Sequence, residues 1–294
     1  MFVQGALMGS VMGFLQVPAF ATVSQCFDTK RAVALGVAVS GASIGGIVLP
    51  IMLSKMLNFS ILGFGWSTRI IGFAVMPLII FACLTVRQRL PLRHTKLFLW
   101  TAFKEPRFTM LSAALFFVFF GSYTPFFYLP TFAVKQGMSE SLAGALLAIT
   151  NTTSVLGRVV PGILADRFGK LNIFATGSIA TGIAVFCMFT AHTSTGLVLY
   201  AACLGLAAGT NVSGASAAFS TCPKDLRDIG TYIGMGMAIA GSGALVGPPV
   251  NGAIINTYGG YAAVCMFSGG MAVLGGLIGF ACKATTEEGL WGRV

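Results

Sequence analysis

The chain has 294 residues, 56% of them hydrophobic and only 9% charged, with a formal net charge of +10 and a mean hydropathy of +0.87. A soluble domain carries roughly 25% charged residues, so this composition excludes a water-facing globule, and the even spread of the deficit excludes a soluble domain with one anchor. The basic excess lies between apolar runs, where it reads as a topology signal rather than a nucleic-acid surface.

A spanning helix needs about 20 mostly apolar residues, and nine candidate runs follow one another along the chain. The first, 2–24, is too long and too Gly-rich for a signal-peptide core and has no basic segment before it. Asp28, Lys30 and Arg31 then abut the second, 32–55, which holds Gly36, Gly41, Gly45 and Pro50. Small residues four apart let helix backbones approach closely in lipid, so Gly41 and Gly45 are an expected packing pair, with Gly36 a further packing position in the same small-residue run. The third run, 66–86, is followed by a basic loop at 87–107. In the fourth, 108–133, Tyr123 and Phe127 are four apart and so share a helical face.

The fifth run, 141–163, contains Arg158, the one charged residue deep within a span, with Ser154 and Asn151 one and two turns before it. An intramembrane charge costs roughly 2.5–3.5 kcal/mol on insertion scales and faces a cavity or a partner. A planar guanidinium there suits a carboxylate, through two parallel hydrogen bonds. A hairpin is expected at 164–170, with Asp166 at a helix start or a neighbouring helix's positive end and Gly169 making the tight turn. The sixth run is 172–191, and the seventh, 196–219, carries Asn211 at its middle. The eighth, 230–255, holds a second close-packing pair, Gly243 and Gly247, before Pro248 and Pro249, and the ninth is 260–282.

Fourteen of the 18 Lys and Arg fall in the loops after the odd-numbered runs and in the tail. Those loops are expected in the cytosol, with the C-terminus inside and the N-terminus outside. An offset of 200 aligns Gly5, Gly9, Asp28, Gly36, Ala38 and Gly41 with Gly205, Gly209, Asp228, Gly236, Ala238 and Gly241. Such a parallel repeat is a transporter feature. Seven separated Cys indicate neither a disulfide framework nor a metal site, and His94 and His192 lie on opposite sides of the membrane. No cofactor and no catalytic residue is expected, since the spans hold no paired acids, His cluster or Ser–base arrangement.

Two stretches carry a family resemblance. "GRVVPGILADRFGKLN" resembles the major facilitator superfamily motif G-x-L-A-D-R-x-G-R-K at Gly162, Leu164, Ala165, Asp166, Arg167, Gly169 and Lys170. "CFDTKRAVALGVAVSG" looks like the signature of the monocarboxylate porter family at Phe27, Lys30, Arg31, Ala34, Gly36, Ala38, Ser40 and Gly41. The stretch from Pro125 to Ser139 is similar to the seventh and eighth helices of fungal members. The resemblance implies an all-α polytopic fold matching family helices 4–12, without the first three. A partial N-terminal bundle would occupy 1–86, an inter-half cytosolic loop 87–107, a six-helix bundle 108–283 and a tail 284–294. It implies a secondary-active or facilitative transporter of a small organic anion, or of a metabolite bearing a carboxylate, in the plasma or vacuolar membrane. Arg158, Asn151, Ser154, Tyr123, Phe127 and Asn211 would bind substrate. Gly162, Asp166, Arg167, Gly169, Lys170, Lys30 and Arg31 would form a cytosolic gate, with Asp166 beside the start of the second run. The lipid bilayer and the anion are the expected partners, proton coupling and oligomeric state stay open, and nucleic acid is not expected. A non-transporting remnant, sensor or partner subunit is the competing reading.

Overall fold

The computed structural model describes residues 7–27, 30–59, 63–86, 98–223 and 225–285, so Gly5, Asp28, most of the expected inter-half loop and most of the tail lie outside it. Every regular element among the described residues is helical. Ten α-helices follow in order: α1 (Met8–Cys26), α2 (Arg31–Phe59), α3 (Gly63–Thr85), α4 (Pro106–Ser122), α5 (Thr124–Lys135), α6 (Glu140–Phe168), α7 (Lys170–Cys187), α8 (Ser194–Phe219), α9 (Ile229–Tyr258) and α10 (Tyr261–Ala284). Consecutive α4 and α5 make one rod, Pro106–Lys135, so nine rods stand where nine runs were expected. Eight are long and apolar enough to cross a membrane. The remaining one, α1, carries no charge but is diluted by Gln16, Ser24 and Gln25.

Helix ends follow local chemistry. Pro106 opens α4, where its missing N–H costs nothing. Thr193 accepts a hydrogen bond from the Gly196 amide at 3.1 Å and caps α8. Only one residue separates α6 from α7: Gly169, at φ +97°, a value that only glycine adopts without strain. The hairpin expected at 164–170 is therefore shorter, because α6 runs through Asp166 and Arg167 to Phe168. A charged last turn does not end a helix once it reaches the membrane rim, where water satisfies it.

The helices from α4 to α10 form one packed body. Within it α6 lies along α8, α7 along α10, and α4 against both α9 and α10. Close backbone approach explains the density: a Cβ at Gly243 or Gly247 would run into the carbonyl of Phe116 or Phe120 on α4. Among the three preceding helices, α2 packs on α6 and α1 on α9, whereas the main neighbour of α3 is α2. Accordingly α3 exposes Phe73, Leu78, Phe81 and Leu84. Apolar side chains facing outward are expected where the surrounding solvent is lipid.

Candidate functional site

A break in one rod shapes the site. Pro125 has no N–H to donate back to Gly121, so α4 stops at Ser122 and α5 starts at Thr124. Between them, Tyr123 packs edge-on against Phe119, with centroids 5.6 Å apart, and tilted against Phe126 at 6.1 Å. Together with Ser122, Asn151, Ser154, Arg158, Ala208, Gly209, Asn211 and Val212, these rings enclose a cavity of about 220 Å³. Five of the six expected binding residues therefore meet in one place. The sixth, Phe127, is 59% exposed on the outside of the rod. Spacing from Tyr123 placed it on the shared face of a continuous helix, and the break removes that register, so Phe126 stands where Phe127 was expected.

Arg158 lies ten residues before the end of α6, about 15 Å along the helix. Its Nη1 donates across to the backbone carbonyl of Val39 on α2. Its Nε is buried without a hydrogen-bond partner, as is Ser122 Oγ on the same cavity wall. Orphaned buried polar atoms are costly and call for an explanation. One turn earlier, Ser154 shares a 2.7 Å hydrogen bond with Ser43 of α2. Asn151 Nδ2 donates to its own helix at Leu147 O, 3.0 Å away, and lies 3.5 Å from Gly46 O. Asn211 instead commits its amide to α7: Ser178 donates to its Oδ1 at 3.2 Å, and its Nδ2 donates to Thr181 at 3.0 Å.

Further along the same interface, the Asp166 carboxylate accepts from the backbone amides of Ala32 and Val33, both at 3.1 Å. These are orphan donors of the first turn of α2, so the carboxylate both caps that helix and sits at its positive end. The contact expected between Asp166 and the start of α2 thus runs through the backbone. Arg31 is 8% exposed and reaches the opposite kind of helix end, donating from Nη1 to Ser220 O at the C-terminus of α8, 3.2 Å away. Lys30 and Arg167 are exposed, and Lys170 is half-buried at the start of α7. Gly162 faces α2 closely enough that a Cβ would come within 2.9 Å of Ala32 O.

Two expected packing positions fall elsewhere. A Cβ at Gly41 or Gly45 would meet nothing within 4 Å, whereas one at Gly36 would strike the Arg158 carbonyl and one at Gly46 would press on Asn151 at 3.1 Å. The contact stripe of α2 is therefore 32, 36, 39, 43 and 46. Gly157, which the sequence did not single out, and Gly205 and Gly209, which it marked only as repeat positions, let α6 and α8 touch backbone to backbone. Their visible signal was the four-residue spacing of Gly205 and Gly209. Nor did the sequence reading find the buried ring in which Asn251 donates to Thr124 (2.6 Å), Thr124 to Ser268 (2.8 Å) and Ser268 back to Asn251 (3.0 Å). Among the described residues no three His, Cys, Asp or Glu side chains gather as a metal site.

A family model described as Major Facilitator Superfamily matches residues 1–170 and, separately, 135–292. The chain is 40% identical over 286 residues to the aspyridones efflux protein apdF of Emericella nidulans, spanning 97% of this chain and 58% of that protein. It is 33% identical over 291 residues to the agnestins efflux protein AgnL12 of Paecilomyces divaricatus, covering 98% and 66%. The MFS-type transporter opdF of Penicillium oxalicum is 30% identical over 297 residues, with 99% and 69% covered. The chain thus spans 58% of the first relative's length. Among solved structures, the E. coli fucose:proton symporter FucP is similar in fold, with a TM-score of 0.71 at 15% identity over 91% of this chain and 73% of that one. The relatives are transporters rather than enzymes.

Proposed function

The chain belongs to the Major Facilitator Superfamily, and from that premise we propose that it serves in a multi-pass transporter of a compact organic anion, or of a larger metabolite bearing a carboxylate or similarly acidic group. The observation that carries the reading is Arg158, whose Nε is buried in the cavity wall without a partner. A desolvated guanidinium edge of this kind is met by an anion, most strongly by one that accepts two parallel bonds. Phe119, Tyr123 and Phe126 supply aromatic faces for the apolar remainder. A space of about 220 Å³ takes a small acid or one acidic part of a larger molecule. Two relatives named as efflux proteins support export of a natural product. The proposal includes no proton coupling: none of the residues lining the cavity is a carboxylic acid.

Movement would follow from rocking of the two halves about the site. The contact between α2 and α6 lies at the end that carries Arg31, Arg107, Lys170 and Lys283, which the positive-inside rule puts in the cytosol. Asp166, with Gly162 and Gly169 shaping its approach, would be the latch of that closed side, in the plasma or vacuolar membrane. Cells expressing the chain and preloaded with radiolabelled salicylate, a compact aromatic carboxylate, are expected to lose label faster than vector controls. Arg158→Ala should return the rate to that of the control. Equal export by the substituted and unsubstituted chains would show that Arg158 does not bind the anion.

A further inference from the structure

Asn151, Ser154 and Arg158 line the cavity on one face of α6, and the same three side chains reach α2. Their spacing of three and four residues puts them in a row. Opposite them stand Gly46, Ser43 and Val39, an antiparallel row at the same spacing. The other close neighbour of this stretch of α6 makes no such demand, because α8 meets it through the backbones of Gly157 and Gly209. We infer that α2 is a built-in competitor of the transported anion: when α2 docks on α6 it takes up hydrogen-bonding capacity that the anion would otherwise use, and the site's affinity falls.

The argument rests on the reading of Arg158 as the anion-binding group. A guanidinium has five N–H donors in a rigid fork. In this structure Nη1 is given to the Val39 carbonyl, which also fixes where the whole fork can point. Nε keeps an unused, buried donor, so docking weakens the site without abolishing it. Once α2 leaves, Nη1 loses the Val39 carbonyl and becomes free for the anion, while Ser154 keeps its 2.8 Å bond to the Asn151 carbonyl of its own helix. Affinity is then high with the α2–α6 contact open and low with it closed.

That order of affinities has a direction. The contact lies on the side assigned to the cytosol, so the open, tight-binding form faces the cytosol and the closed, weak-binding form faces the opposite side. Loading from the cytosol and release outward follow, which is export. By linkage, the anion must weaken the α2–α6 contact by the same factor as the contact weakens the anion.

The test uses Ser43→Cys/Ser154→Cys, whose parent hydroxyl oxygens are 2.7 Å apart. Oxidation locks α2 on α6, and a non-reducing peptide map verifies the 43–154 bond. Equilibrium binding of radiolabelled salicylate to the protein in lipid nanodiscs is then compared before and after reduction, so the same substitutions serve as their own control. Because hydrogen bonds to charged groups are the strong ones, the locked form is expected to bind about tenfold more weakly or worse. Dithiothreitol should restore the affinity, and saturating salicylate should slow formation of the disulfide. Equal or tighter binding by the locked form, with Arg158→Ala still abolishing it, would overturn the competition and leave the anion site standing. Absence of binding to the reduced form, or binding indifferent to Arg158→Ala, would overturn the anion reading and the competition with it.

Discussion

Asp166→Asn isolates the contribution of the latch to the closed form. The carboxylate accepts two amide hydrogen bonds of 3.1 Å from the first turn of α2, while the side chain itself is half-buried at the rim. Hydrogen bonds to charged groups contribute about 1.5–3 kcal/mol each, against about 1 kcal/mol for a neutral one. An anion at a helix N-terminus adds up to about 1 kcal/mol, with solvent screening reducing all of these at the rim. Asn keeps one acceptor oxygen and loses the charge, so the closed contact should weaken by roughly 2 kcal/mol, or about thirtyfold in its equilibrium constant. Val39 is 4% exposed in the contact stripe, so a Val39→Cys thiol is reachable only when α2 departs. Its labelling rate with a water-soluble maleimide, read peptide by peptide in a mass spectrometer, should rise by about that factor on adding Asp166→Asn, as labelling follows the open population. Native Cys222 adds little background, because burial pushes its thiol up to about 12 and leaves almost no thiolate near neutral pH. An unchanged labelling rate would mean that the two amide contacts do not hold the helices together.

Gly36→Ala and Gly41→Ala form a matched pair on α2. A Cβ at position 36 meets the Arg158 carbonyl and one at 41 meets nothing within 4 Å, so only the first should accelerate labelling at Val39→Cys, and equal effects would refute the contact stripe. Asn251→Leu leaves Thr124 and Ser268 without the amide that closes their buried ring, at a cost of about 1–3 kcal/mol. It should lower the thermal midpoint of the purified protein by several degrees, and a midpoint equal to that of the unsubstituted protein would contradict a structural role for the ring.

The nine rods were legible because each is a single apolar run long enough to span, a property of composition that survives small errors in boundary. The repeat offset of 200 is approached by two helix pairs, since α2 and α9 begin at Arg31 and Ile229 and α3 and α10 at Gly63 and Tyr261, both 198 positions apart, whereas α1 and α8 end at Cys26 and Phe219, 193 apart. Arg158 could be singled out because a charge inside a span is expensive anywhere it is found. Facing was harder. Periodicity tells which residues of one helix share a side, and is silent about which neighbour covers that side. Asn211 turned its amide to α7, and the stripe of α2 ran through Gly36 and Gly46 rather than Gly41 and Gly45, for the same reason. The displacement of Phe127 by Phe126 has a more local origin in Pro125, which was visible in the sequence and whose effect on register was not drawn.

The composition of the α2–α6 contact bears on why it can open at all. Lipid removes the hydrophobic drive for helix association, so close backbone packing and hydrogen bonds must supply it, the latter worth about 0.6 kcal/mol on average and up to about 1.7 in measured membrane cases. Here glycines at 36 and 162 allow the approach, and the polar links are those of Asp166, Arg158 and Ser154, with a longer one from Asn151. Their sum is a few kcal/mol, the range in which two conformations remain jointly accessible. A more extensive apolar or ionic seam would hold one state permanently. A ligand can shift such an equilibrium only by the difference in its affinity for the two states. Placing the links on the side chains that line the cavity is the most direct way to create that difference, because the ligand and α2 then draw on the same donors.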